Sequence, residues 1–232
     1  MRKQQHIWEE EHLKNDHWPG LTADEPASSV VFFVKYLLER GITPPLKVVD
    51  IGCGQGRNAI YLAEQGFEVY GLDYVHHAIE RCQERAERFD LTSKLHLFEL
   101  PIDSIWPFED NFFDASIDAF SSIDIETQEG RLVYKMELLR TLKPGGYALI
   151  TAVSAADEWE KDLLMSHPGP EPHSTIWPNG KFQKDYIEAE LREFYQEFEI
   201  LDLREISKPA VKLGKEYTKT DFWMVLRKHS FV

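Results

Sequence analysis

Between Val48 and Asn58 the chain reads Val-Val-Asp-Ile-Gly-Cys-Gly-Gln-Gly-Arg-Asn, a short apolar run that stops at a Gly-x-Gly-x-Gly turn. Glycines at this spacing let a ligand press on bare main chain, because a Cβ would collide or would demand φ values that other residues resist. The N–H groups of such a turn, and of a helix opening after it, are ready donors. Without a ligand the same triplet is only a tight strand-to-helix turn. Asp73 stands nineteen residues beyond Gly54, at the end of the next apolar run, where a carboxylate accepts hydrogen bonds from two ribose hydroxyls. The looser run Gly54-x-Gly56-x-x-Ala59 also fits a dinucleotide fingerprint, so an NAD-dependent oxidoreductase is one reading of these residues.

Further carboxylates shift the balance. Asp50 lies two residues before Gly52, beneath the glycine turn, where it suits an ammonium group and repels a pyrophosphate. Asp103 follows the third apolar strand and Asp118 lies near the end of the fourth. Acidic groups recurring at successive strand ends favour a cationic, amine-bearing ligand over a polyphosphate.

The elements that must hold these residues alternate between helical and strand periods, the signature of a layered α/β fold with a mostly parallel sheet. A helix is expected over Pro26 to Arg40, capped by Asp24 and stopped by Gly41, with Val30, Phe33, Val34, Leu37 and Leu38 apolar. Strand Lys47 to Ile51 leads into the glycine turn. A helix from Asn58 to Gln65, a strand from Phe67 to Leu72 ending at Asp73, and a helix from His76 to Phe89 follow. Strands are expected at Leu95 to Glu99 and Asp114 to Ala119. A helix from Gln128 to Leu142 then carries Leu132, Met136 and Leu139 on one face. Leu142-Lys143-Pro144-Gly145-Gly146 ends that helix before a strand at Tyr147 to Val153.

Residues 154–181 are irregular and rich in proline, the kind of long segment that is functional or disordered. A helix around Gln183 to Phe194 and strands at Phe198 to Ile206 and Asp221 to Arg227 complete the chain. No helix separates the last two strands, so they are expected to pair antiparallel at a sheet edge. One domain spanning residues 1–232 is expected, with a cover segment over 1–25, a core over 26–153, an insertion over 154–181 and the rest of the sheet over 182–232.

With 26 Lys+Arg against 40 Asp+Glu the formal charge is −14, an unfavourable field towards DNA or RNA, so no nucleic-acid partner is expected. The longest apolar runs, Val30 to Val34 and Phe222 to Leu226, are far short of the ~20 residues of a membrane span. The acidic start shows no leader-like apolar stretch, so no membrane partner and a cytoplasmic location are expected. Cys53 and Cys82 are too few for a disulfide framework or a cysteine zinc site and read as reduced thiols. The composition does not fix an oligomeric state.

Four blocks, VVDIGCGQG (Val48 to Gly56), EVYGLD (Glu68 to Asp73), WPFEDNFFDASID (Trp106 to Asp118) and LKPGGYALI (Leu142 to Ile150), occur in an order and spacing that resembles the class I S-adenosylmethionine-dependent methyltransferases. Gly56-Arg57-Asn58 is similar to the small-molecule, tellurite-resistance-like branch. The resemblance implies a doubly wound α/β fold, a Rossmann-like, mostly parallel seven-stranded sheet with an antiparallel C-terminal strand. It also implies S-adenosylmethionine as cofactor and a small-molecule acceptor. Gly52, Gly54 and Gly56, with Cys53 and Asp50, would approach its methionine and ribose portions; Asp73 would hold the ribose hydroxyls with Tyr74 beside the adenine. Asp103 and the Ser104 N–H would meet the adenine, with Glu99 as a competing choice. Asp118 would lie near the methyl donor, and Arg57 or Asn58 would face the cofactor carboxylate. A cofactor-binding protein without turnover fits the same residues.

The nine histidines form no helical ligand pair, so no metal is expected; His173 alone falls where a substrate could reach it. Trp8, His12 and Trp18 would either cover the donor or simply pack the N-terminal segment onto the body. Glu80 to Arg85 reads as a solvated helix face.

Overall fold

The computed structural model describes residues 4–13, 23–212 and 214–230. Strand β1 (Lys47–Ile51) is buried on both faces from Val48 onward, as its unbroken apolar run requires of a central parallel strand. It pairs in parallel with β2 (Glu68–Asp73) and with β4 (Phe113–Ala119). Strand β3 (Leu95–Glu99) joins β2, and β5 (Leu142–Val153) joins β4, also in parallel. The long hairpin of β8 (Phe198–Lys212) and β9 (Lys215–Lys228) is antiparallel and docks through β9 on β5. The seven-stranded order is β3-β2-β1-β4-β5-β9-β8, the doubly wound sheet that the four blocks imply.

Alternation along β1 sorts the core. Val49 and Ile51 join Leu72, Tyr134, Leu138 and Met224 on one face. Val48 joins Phe33, Leu37, Leu62, Phe67 and Val69 on the other. The second face is covered by α2 (Ser28–Leu38), α3 (Arg57–Glu64) and α4 (His76–Arg88), and the first by α5 (Gln128–Thr141) and α7 (Glu188–Phe194). Strand order reverses between β1 and β4, which opens a crevice at their carboxyl ends. The glycine turn lies there.

Several local expectations give way to tertiary contacts. Asp24 does not cap α2: Ala27 is the N-cap without a side-chain bond, and Asp24 instead pairs with Arg85 at 2.9 Å. On α5, Leu132 and Met136 face outward while Arg131, Tyr134, Lys135 and Leu138 are buried. That inversion is stable because both buried cations find partners, Arg131 on Glu171 and Lys135 on Glu197. Strand β5 begins at Leu142 rather than Tyr147, with the Pro-Gly-Gly residues inside a register shift opposite Phe113 and Ala115.

Residues 154–181 are more regular than their prolines suggest. They hold α6 (Glu158–Ser166), capped by Asp157 onto the Trp159 and Glu160 N–H groups, and β6 (Ser174–Ile176). β6 pairs antiparallel with β7 (Phe182–Lys184), so the helix expected from Gln183 starts only at Glu188. The hairpin also runs past Ile206 to Lys212 and starts again at Lys215. A helix α1 (Gln5–Leu13) lies at the N-terminal side; Trp18 falls outside the described residues.

Candidate active site

The turn after β1 puts Gly52, Gly54 and Gly56 at φ +69, +53 and +83, a left-handed region that favours glycine. The three serve different neighbours. A Cβ on Gly52 would fall 2.2 Å from Ser121 Oγ, and one on Gly56 would fall 2.2 Å from Cys82 Sγ. At Gly54 the nearest atom would be His12 Cε1 at 3.5 Å, so of the three only Gly54 has no neighbour pressed against it more closely than ordinary contact. Asp73 ties the turn to β2: its Oδ2 accepts from the Gly54 N–H at 2.8 Å and its Oδ1 from the Val75 N–H at 2.9 Å. Burial pushes the Asp73 carboxyl above the usual range, opposed by those N–H groups and by His12.

A cavity of about 860 Å³ opens above this turn, within the size range of small-molecule sites. Of the residues expected to bind a cofactor, Gly52, Cys53, Gly54, Asn58, Asp73, Tyr74 and Asp103 line it, as does Arg57. Glu99 is drawn away to His76 Nδ1 at 2.8 Å, which leaves Asp103 as the carboxylate facing the cavity after β3. Asn58 also accepts the Ala27 N–H through Oδ1 at 2.9 Å, so part of its polarity serves to seat α2.

The structure sets Asp50, Gly56, Ser104 and Asp118 back from the lining. Gly56 packs on Cys82. The Ser104 hydroxyl turns to the Pro101 carbonyl at 2.6 Å. Asp118 does not line the cavity: it is fully buried, accepting from Tyr134 Oη at 2.7 Å and from the Ser121 and Ser122 N–H groups. It shapes the loop after β4 instead of entering the cavity, and that loop offers Phe120 and Ser121 in its place. Asp50 lies under the turn with Oδ2 unpartnered, and burial with the nearby Asp73 charge pushes its carboxyl up to about 7.

Over the crevice, α1 brings Trp8 and His12 to the lining. Gln4 clamps this segment: its Nε2 donates to the Asp124 carbonyl at 3.0 Å and its Oε1 accepts the Phe182 N–H at 2.7 Å. Burial pushes the His12 imidazole down, while Asp73, Glu9 and Glu11 pull it up. Trp8 and His12 therefore both cover the cavity and pack the segment.

The far end is built by residues that local patterns did not single out. Asp124, from the 3₁₀ turn Ser122–Asp124, Glu160 from α6, and Trp177 and Lys181 from the insertion all reach it. The extended hairpin adds Val211, Lys212, Tyr217 and Lys219. The proline-rich irregularity of residues 154–181 was the one signal that pointed here. His173 is not in the lining; it pairs with Glu190 at 3.1 Å. Among the described residues no group of three or more His, Cys, Asp or Glu side chains is arranged to hold a metal, and no helix is long and apolar enough to cross a membrane.

Residues 48–146 match a family described as "Methyltransferase domain". Over 165 residues the chain is 29% identical to the probable S-adenosyl-L-methionine-dependent methyltransferase TehB of Haemophilus influenzae, an alignment covering 71% of this chain and 50% of that protein. The chain thus spans about half the length of the curated relatives it matches first. A SAM-dependent methyltransferase of Methanosarcina mazei superposes with a TM-score of 0.72 at 21% identity, over 84% of this chain and 98% of its own. The 1,6-didemethyltoxoflavin-N1-methyltransferase of Burkholderia thailandensis, solved with 1,6-didemethyltoxoflavin and S-adenosylhomocysteine, superposes at 0.65 and 18% identity, over 98% and 84%. At these identities the two structures speak for the fold; the family match and TehB weigh against the nicotinamide reading.

Proposed function

We propose that the chain is a class I S-adenosylmethionine-dependent methyltransferase and that it transfers a methyl group to a small-molecule acceptor held between Phe120, Trp177 and Lys181. One observation carries the reading: a single cavity is lined both by the Gly54 turn with Asp73 and by the insertion and hairpin. A donor site and a walled acceptor site therefore share one space. The cradle suits the cofactor, since Gly54 lines the cavity and Asp73 retains lone pairs beyond the two N–H bonds it accepts. Gly52, Cys53 and Gly54 would hold the methionine and ribose portions, Asp73 the ribose hydroxyls, Tyr74 and Asp103 the adenine, and Arg57 the carboxylate.

When bound, S-adenosylmethionine supplies an already activated sulfonium methyl. The chain's own contribution is then alignment and exclusion of water. Trp8 and His12 close the crevice over the donor end, and Gln4 holds them there through Asp124 and Phe182. Phe120 and Trp177 offer apolar walls to the acceptor. The described part of the chain works as one unit, α1 covering the 26–153 core while residues from 154–181 and the β8–β9 hairpin wall the acceptor. A net charge of −14 supports a small acceptor over a nucleic acid.

Calorimetry with S-adenosylhomocysteine tests the site. Asp73→Ala is expected to weaken binding by about 100-fold, the loss of two charge-assisted hydrogen bonds at roughly 1.5 kcal/mol each. A folded variant with unchanged affinity overturns the assignment. Turnover of labelled donor over a metabolite pool separates an enzyme from a binding protein without activity.

A further inference from the structure

At the acceptor end, charges and rings are paired in a way that selects a chemical class. Asp124 Oδ1 is buried without a hydrogen-bond partner and lies 4.0 Å from Lys181 Nζ. That ammonium stands over the rings of Trp8 at 4.7 Å and Trp177 at 4.6 Å. Beside them, Lys212 lies 3.4 Å from Glu160 Oε1 and 4.6 Å from the Trp177 ring. Glu160 Oε2 is buried and unpartnered. Two ammoniums thus face two carboxylates among indoles. A cationic acceptor would meet the lysines and a preformed anion would meet the carboxylates. A neutral planar molecule with an acidic hydrogen suits both, because its proton can pass to a carboxylate while its new charge takes that carboxylate's place opposite a lysine.

On the proposed methyl-transfer reading, we propose that Asp124 is the general base for a planar aromatic acceptor bearing an acidic O–H or ring N–H, with Lys181 holding the resulting anion. In this step the acceptor's O–H or N–H bond breaks, the proton bonds to the Asp124 carboxylate, and the electron pair stays on the acceptor atom beside Lys181 Nζ. The proton later leaves to solvent. Asp124 is favoured over Glu160 by position: it ends the loop that wedges Ser121 against Gly52, on the donor side of the cavity. Burial and the charges of Asp118 and Glu160 push the Asp124 carboxyl up to about 6 against the pull of Lys181, which suits proton exchange near neutrality.

The test uses 4-nitrophenol, whose ionised form is yellow, titrated into the full chain with and without S-adenosylhomocysteine at a pH where the free phenol is mostly protonated. Bound dye is expected to be at least about tenfold richer in phenolate than free dye, one pKa unit. Glu160→Gln keeps that enrichment. Between about pH 7.5 and 9, where free dye is already mostly phenolate, wild-type affinity falls with rising pH because Asp124 must take up a proton on binding. Asp124→Asn, which mimics the protonated carboxyl, binds phenolate without that dependence, and Asp124→Glu restores it. Should Asp124→Asn not fold, Lys181→Gln carries the test, binding dye with the ionisation it has free in solution. Dye that does not bind, or whose affinity has the same pH dependence in a folded Asp124→Asn as in the wild type, overturns the inference. A chain that binds dye as phenolate but never S-adenosylhomocysteine instead overturns the methyl-transfer reading alone.

Discussion

Gly56 offers the sharpest separation of a packing role from a binding role. It is the N-cap of α3 at φ +83, and a Cβ there would fall 2.2 Å from Cys82 Sγ and 3.2 Å from Cys82 Cβ. Gly56→Ala therefore incurs two costs: left-handed strain of about 1–2 kcal/mol and overpacking of about 1–3 kcal/mol. The sum is roughly 2–5 kcal/mol, a large part of an ordinary domain's stability. Cys82→Ala deletes the sulfur and leaves only the contact at 3.2 Å, so the double variant should recover the overpacking and keep the strain. Urea unfolding of the wild type, both single variants and the double should give a coupling of about 1–3 kcal/mol. Affinity for S-adenosylhomocysteine should recover alongside stability. Additivity within about 0.5 kcal/mol, or affinity that stays lost in a restabilised double variant, would refute the packing role and return Gly56 to the ligand.

Asp50 makes stability depend on pH. Its carboxyl is raised from 3.8 to about 7, so the folded state holds a proton that the unfolded state has released, and stability falls as pH rises between those values. Asp50→Asn should remove that dependence, gaining on the wild type by up to about 1.4 kcal/mol per pH unit across the window; parallel profiles in urea melts would contradict it. Gln4→Ala breaks two hydrogen bonds of roughly 1 kcal/mol each, so the Phe182 and α1 amides should exchange about 10- to 30-fold faster. Unchanged protection of those amides would show that Gln4 does not clamp the cover.

Much of the fold was legible because its signals are local. Val48 to Ile51 had to be a doubly covered strand, and the glycines after it had to turn left-handed. The charge of Asp73 had to fall at the end of β2, beside that turn. These properties depend on backbone sterics and on alternation within a few residues. The outward turn of Leu132 and Met136 was not legible in the same way, since α5 buries Arg131 and Lys135 only because Glu171 and Glu197 arrive from later segments.

For the site, residue identities determined the type of ligand cradle, while tertiary structure decided which members of the motif reach it. Gly54 and Gly56 look equivalent in the chain, yet one lines the cavity with only the His12 ring near it and the other abuts a thiol from α4. Asp118 was expected to enter the cavity, and Tyr134 with the loop N–H groups turned it inward. Asp124 and Lys181 are far apart in sequence, with no pattern linking them, and they meet because the insertion and the extended hairpin fold over the β4 loop. Backbone conformation is set by immediate neighbours, but the company a charge keeps is set by whichever distant segment closes over it.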